Sequence, residues 1–200
     1  MKSLSNERMT DLNLPRRHLL RLQGFDYSQP NAYFVTIVLE GRKCLLGDIF
    51  DGEMHPSDAG RMIEKWWNEL TNKFHSIELD DFTIMPNHFH GLLWLVGADL
   101  GVGPGLGASS DQSNFSKKEK VSVSLPAVMQ WFKTMTTNEY IRGVKLSGWT
   151  PFPGKLWQRN YYDHVVRDDI DLDNIRRYIK GNPILWEQDN ENPHGAKSHS

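Results

Sequence analysis

Two histidines separated by one residue, His88 and His90, carry the clearest chemical potential in this chain of 200 residues. In an extended strand, residues i and i+2 point to the same face. The two imidazoles would then stand side by side, with Phe89 turned the other way. Such a pair is a half-site for a divalent cation, because imidazole is the commonest metal-binding side chain. The chain has eight histidines, so the spacing also suits two side chains that only hydrogen-bond. Tyr178 and Asn182 stand four residues apart in a segment of helical pattern, and would share a helix face. A tyrosine hydroxyl can be a nucleophile, but its ordinary pKa of about 10 calls for activation. A phosphate ester bound to a metal is a better electrophile and meets part of that need. The same residues also suit a packed tyrosine and an asparagine that ends the helix before Pro183. A residue ahead of proline avoids αR geometry, so Asn182 is expected off the ideal helix. Tyr161, Tyr162 and His164 form a third group. On a strand, Tyr162 and His164 share one face and Tyr161 takes the other, which leaves two rival nucleophiles and a rival ligand.

Positive charge gathers in the same half of the chain as the tyrosines. Arg142, Lys145, Arg159, Arg167, Arg176, Arg177 and Lys180 can line a phosphate backbone. For Arg176 and Arg177, cations that complement a helix C-terminus explain the pattern equally well. Trp94 and Trp157 are candidate stacking platforms for bases, whereas Trp66 and Trp67 sit at core spacing.

These residues need a scaffold, and the periodicity supplies one. Tyr33–Glu40 is rich in β-branched and aromatic residues on both faces and reads as a buried strand. Pro56–Phe74 reads as a helix with Ala59, Met62, Ile63, Trp66, Trp67, Leu70 and Phe74 on one stripe, capped by Ser57 or Asp58. Ile77–Met85 and Phe89–Val96 read as strands joined by the turn Pro86-Asn87. Ser124–Arg142 reads as a second helix ended by Gly143. Leu156–Val166 reads as a strand, and Ile170–Gly181 as a third helix that Pro183 stops. The order is β-α-β-β-α-β-α, an α+β class fold of ferredoxin-like or RRM-like plan, with helices packed on an antiparallel sheet. Residues 1–31 read as an N-terminal arm and 32–187 as the working domain. Within it, 97–121 reads as a flexible, glycine-rich insertion, and 188–200 reads as a polar C-terminal tail.

Composition narrows the class. Apolar residues are 38 % and charged residues 24 %, which argues against wholesale disorder. The net charge of −2 gives no bulk attraction to nucleic acid or membrane. The single cysteine, Cys44, permits no intrachain disulfide. The N-terminus has no apolar signal region, and the longest apolar run, Gly91–Ala98, is too short to span a bilayer. A cytoplasmic protein with no membrane partner is the expectation.

The string Met85-Pro86-Asn87-His88-Phe89-His90-Gly91-Leu92-Leu93 resembles the HUH motif (His, bulky hydrophobic, His) of single-tyrosine transposases. The stretch from Leu156-Trp157-Gln158-Arg159-Asn160-Tyr161-Tyr162 to Val166-Arg167 looks like the C-terminal half of one branch, the REP-associated tyrosine transposases. So does Ile175-Arg176-Arg177-Tyr178-Ile179-Lys180-Gly181-Asn182-Pro183. The resemblance covers roughly residues 32–186, and its two motifs occur in the family's order. It implies that His88 and His90 hold Mg²⁺ or Mn²⁺, that Tyr178 is the nucleophile and that Asn182 completes the metal site. The implied reaction nicks and joins single-stranded DNA, often hairpin-forming, through a 5′-phosphotyrosine. Imidazole ligands suit Mn²⁺ better than Mg²⁺, so Mn²⁺ is expected to serve at least as well. Members act as monomers or dimers, so a homodimer stays open.

Two other readings compete. A domesticated relative could bind DNA hairpins without cutting, but such a binder would not need His88, His90, Tyr178 and Asn182 together. An RRM-like RNA binder needs exposed aromatics on its central strands, and here the central strand carries His-Phe-His.

Overall fold

The computed structural model describes residues 24–96 and 123–195. The expected insertion at 97–121, most of the expected N-terminal arm and the last five residues lie outside the described residues. Strand β1 spans Asn31–Val38. After it come a short hairpin, β2 (Gly47–Phe50) and β3 (Glu53–Pro56), then helix α1 (Asp58–Lys73). Strands β4 (Ile77–Met85) and β5 (His88–Leu95) form the next hairpin, followed by helix α2 (Leu125–Ser147). Strand β6 (Tyr162–Val165) and helix α3 (Asp169–Gly181) complete the order, and a 3₁₀ segment, Pro183–Gln188, follows directly.

The main sheet has the order β4-β5-β1-β6, and every pair is antiparallel. This is the ferredoxin-like arrangement expected from the sequence. Strands β1 and β5 lie in the middle and are buried on both faces, which explains their apolar runs. Helices α1 and α2 cover one face. There Trp67, Phe89, Phe132, Val35 and Ile37 join the main core. Helix α3 covers the other face, where Leu172, Ile175 and Ile179 pack on Ala32, Phe34 and Leu92.

Strand β1 begins and ends two residues earlier than expected, and three further departures from the sequence expectation have a local reason. The hairpin β2–β3 was not expected. It turns at Asp51-Gly52, whose φ values of 52° and 78° are those of a two-residue hairpin turn. Helix α2 does not stop at Gly143 but runs on to Ser147 and ends at Gly148, which has a φ of 69°. Gly143 lacks a side chain because the Trp149 ring occupies that space.

The expected strand Leu156–Val166 shrinks to β6 plus one bridge between Leu39 and Trp157. Lys133 on α2 takes the carbonyls of Gln158 and Arg159, at 2.6 and 3.1 Å. These two carbonyls thus bond to a helix side chain beside the break in the ladder. No helix among the described residues is long and apolar enough to cross a membrane.

Candidate active site

His88 and His90 open strand β5 and face α3, as i and i+2 positions must. Both are buried, at 0 % and 1 % exposure. Each ring is held at Nδ1. The His88 Nδ1 lies 2.8 Å from the side-chain oxygen of Asn87. The Asn87 amide donates to the carbonyls of Arg42 (3.1 Å) and Glu191 (2.7 Å), so its oxygen is the end that faces His88. A neutral His88 ring therefore carries its proton on Nδ1 and turns a lone pair on Nε2 toward His90. The His90 Nδ1 lies 2.8 Å from the hydroxyl of Thr36, its neighbour across the β1–β5 ladder. A hydroxyl donates or accepts, so Thr36 suits either tautomer of His90.

The two Nε2 atoms approach to 3.0 Å. With the His88 lone pair fixed, a proton or a cation must lie between them. The spacing suits a divalent ion: two ligands cis on an octahedron of about 2.1 Å bonds lie about 3.0 Å apart. A third group closes in. The Asp189 carboxylate sits 3.7 Å from His88 Nε2 and is only 6 % exposed. Ligand atoms of His88, His90 and Asp189 all lie within 4.8 Å of one another. Two imidazoles and a carboxylate suit Mn²⁺ and related ions.

Asp189 was not singled out in the sequence, where it falls in the stretch expected to be a polar tail. Its neighbours are anchored. The 3₁₀ segment after α3 turns the chain back, Glu191 takes the Arg42 guanidinium at 2.5 Å, and its carbonyl takes the Asn87 amide. Trp186 packs near His88, with ring centroids 6.0 Å apart. Nothing in the periodicity marks this return. Asn87 and Thr36 were also missed as the supports of the two rings.

Tyr178 lies on α3 with its ring centroid 5.2 Å from that of His90 and 6.0 Å from that of Phe34. Asn182 keeps αR geometry (φ −60°, ψ −42°) despite the following proline. The expected departure from the helix does not occur, so the i, i+4 relation to Tyr178 holds. Asn182 is 2 % exposed, and its Oδ1 is buried without a hydrogen-bond partner. An orphaned buried acceptor of this kind is costly, and a cation would satisfy it. Tyr162 pairs with Thr36 across the β1–β6 ladder and belongs to the α3-face cluster, whereas Tyr161 packs with the main core. His164 is bonded to Asp171 at 2.8 Å.

Ion pairs fix α3 to the edge of the sheet. A bulge between Leu79 and Phe82 brings Asp80 and Asp81 to the helix. Asp80 accepts two hydrogen bonds from Arg176, at 3.0 and 2.6 Å, and one from Trp94 at 3.1 Å. Lys180 reaches Asp81 at 3.0 Å. Burial pushes the Asp80 carboxyl up. The bonds from Arg176, Trp94 and the Asp81 N–H, with the Arg176 charge, outweigh that and hold it at about 2. Arg176 and Lys180 flank Tyr178 in sequence, so these pairs set where the tyrosine stands.

The other basic residues do not form one track. Arg142 and Lys145 are exposed on α2, across the sheet from the histidines, and Arg142 pairs with Glu139 at 4.0 Å. Arg167 is bonded to Asp171 and Arg177 to Asn174. Arg159 lies on the α2 side, in a groove.

No protein-family model matches the chain. An uncharacterized protein of Haemophilus influenzae is 31 % identical over 173 residues, spanning 86 % of this chain and 91 % of that protein. Among solved structures, a REP-associated tyrosine transposase bound to a REP hairpin matches with a TM-score of 0.53 and 15 % identity. The match covers 82 % of this chain and 73 % of that one. The chain belongs to one family with the Haemophilus influenzae protein, and it has the fold of the REP-associated tyrosine transposases that its motifs resemble.

Proposed function

We propose that the protein cuts and rejoins single-stranded DNA beside a hairpin, with Tyr178 as nucleophile and a divalent cation as cofactor. One observation carries this reading: two buried imidazole nitrogens 3.0 Å apart, with the Tyr178 ring against one of them. His88 and His90 would hold the ion with Asp189 beside them, and the unpartnered Oδ1 of Asn182 would serve as a further oxygen donor. When bound, the ion draws charge from a phosphate oxygen and makes phosphorus more electrophilic.

The chain's own residues do the rest. Asn87 and Thr36 orient the two rings. The α3 ion pairs hold Tyr178 beside His90. The Tyr178 hydroxyl gives up its proton to solvent water, and its oxygen attacks phosphorus in line. A tyrosine–phosphorus bond forms and the bond to the 3′-oxygen breaks. That oxygen takes up a proton and leaves as a 3′-hydroxyl. The 5′-phosphotyrosine keeps the energy of the phosphodiester, so attack by another 3′-hydroxyl rejoins DNA without ATP.

The test uses hairpin oligonucleotides from the sequence flanking the gene, labelled at either end, with Mn²⁺ or Mg²⁺. Cleavage should need the metal. A 5′ label should leave on a free fragment, and a 3′ label should migrate with the protein. Hairpin binding without cleavage in either metal would replace this reading with that of a non-cutting DNA binder.

A further inference from the structure

On the α2 side of the sheet, away from the histidines, α2 and the segment 154–161 enclose an open groove of about 740 Å³. Its lining contains Lys133, Lys155 and Arg159 and no acidic residue. The contrast with α3 is direct. There Arg176 and Lys180 are matched to Asp80 and Asp81, whereas Lys155 and Arg159 have no acidic partner among the described residues. Lys133 is the brace. Its ammonium holds the carbonyls of Gln158 and Arg159, which keeps Arg159 at the rim. Burial, and after it the charge of Lys155, press the Lys133 pKa down. Gln130, Thr134 and Asn138 add neutral hydrogen-bonding groups along the helix.

Lysine and arginine with hydroxyl and amide side chains form the set that meets phosphate oxygens in DNA. We infer that this groove seats the phosphodiester backbone of the hairpin stem while the strand to be cut lies at the histidines. The inference rests on the DNA-processing reading above. A paired stem fits better than a single strand for two reasons. The cleaved strand belongs on the other face of the sheet. The groove also offers few faces for stacking: Trp157 is 3 % exposed and tied to Thr136, and the half-buried Tyr161 is packed against the main core.

The experiment is a salt titration of hairpin binding, read by fluorescence anisotropy with the full chain. The variant joins Lys155→Ala and Arg159→Ala, both exposed, and leaves the brace Lys133 in place. Loss of two phosphate contacts should raise Kd about tenfold or more near 0.1 M salt. It should also flatten the slope of log K against log salt by about 2. The loss should be as large on a bare stem-loop as on one with single-stranded flanks. An unchanged Kd and slope, or a loss confined to flanked DNA, overturns the inference while the nuclease reading stands. A wild-type chain that binds no hairpin at all sinks both.

Discussion

The two faces of the sheet are built on opposite principles. Under α1 and α2, large apolar side chains interlock. Trp67 lies 4.8 Å from Phe89 and 5.6 Å from Phe132, measured between ring centroids, and all three are fully buried. Under α3 the apolar contact is thin, with seven buried residues in its cluster. Partly buried rings of Trp94, Tyr162 and Tyr178 pack against it, and polar groups fill much of the rest: the histidine pair, Thr36, Asn182 and the Asp80–Arg176 clamp. The first face holds the fold by area removed from water. The second holds a helix in place with directed bonds, such as those from Arg176 to Asp80. One sheet thus separates a face closed by apolar packing from a face that gathers buried polar side chains.

Substitutions can break this contrast. The largest expected effect on stability lies on the apolar face. Trp67→Ala should cost about 3–5 kcal/mol in urea or thermal unfolding. A cost under about 1 kcal/mol would mean that this face does not carry the fold. On the polar face, His90→Ala should weaken Mn²⁺ binding at least about 10-fold, read by calorimetry or by the Mn²⁺ spin resonance signal, with a smaller change in stability. Unchanged metal affinity would remove the histidine pair from the site.

The clamp should respond most mildly and in a way of its own. Asp80→Asn should cost about 1 kcal/mol of stability and slow cleavage without raising Kd for DNA. The native Asp80 carboxyl is held at about 2, below the ordinary 3.8. Its contribution is therefore complete above about pH 4 and fades as pH falls toward 2. The Asp80→Asn variant should lack that part of the acid-induced loss. Equal acid sensitivity in both proteins would contradict the assigned clamp.

The sequence made the apolar face legible because burial on both sides of β1 and β5 leaves continuous apolar runs, and the stripe of α1 has helical spacing. His88 and His90 were legible for the same reason, as alternation on a strand. Tyr178 was not separable from Tyr161 and Tyr162 by spacing, and the resemblance made that choice. Asp189 was out of reach because the path that returns it to His88 depends on the Arg42–Glu191 pair and the Asn87 amide, contacts between distant positions. The partners of Arg176 and Lys180 were equally hidden, since a bulge in β4 brings Asp80 and Asp81 to them. The Asp51-Gly52 hairpin carried a readable turn signal. The end of α2 did not, since only the Trp149 ring explains why Gly143 sits inside the helix.

The central claim is that Tyr178 attacks DNA at a metal held by the histidine pair. The most direct measurement is peptide mapping by mass spectrometry of the covalent protein–DNA adduct, formed on a hairpin substrate with Mn²⁺. The account predicts a nucleotide-modified peptide containing Tyr178, absent without metal and absent in Tyr178→Phe. A modification on Tyr161 or Tyr162 that persists in Tyr178→Phe would contradict it.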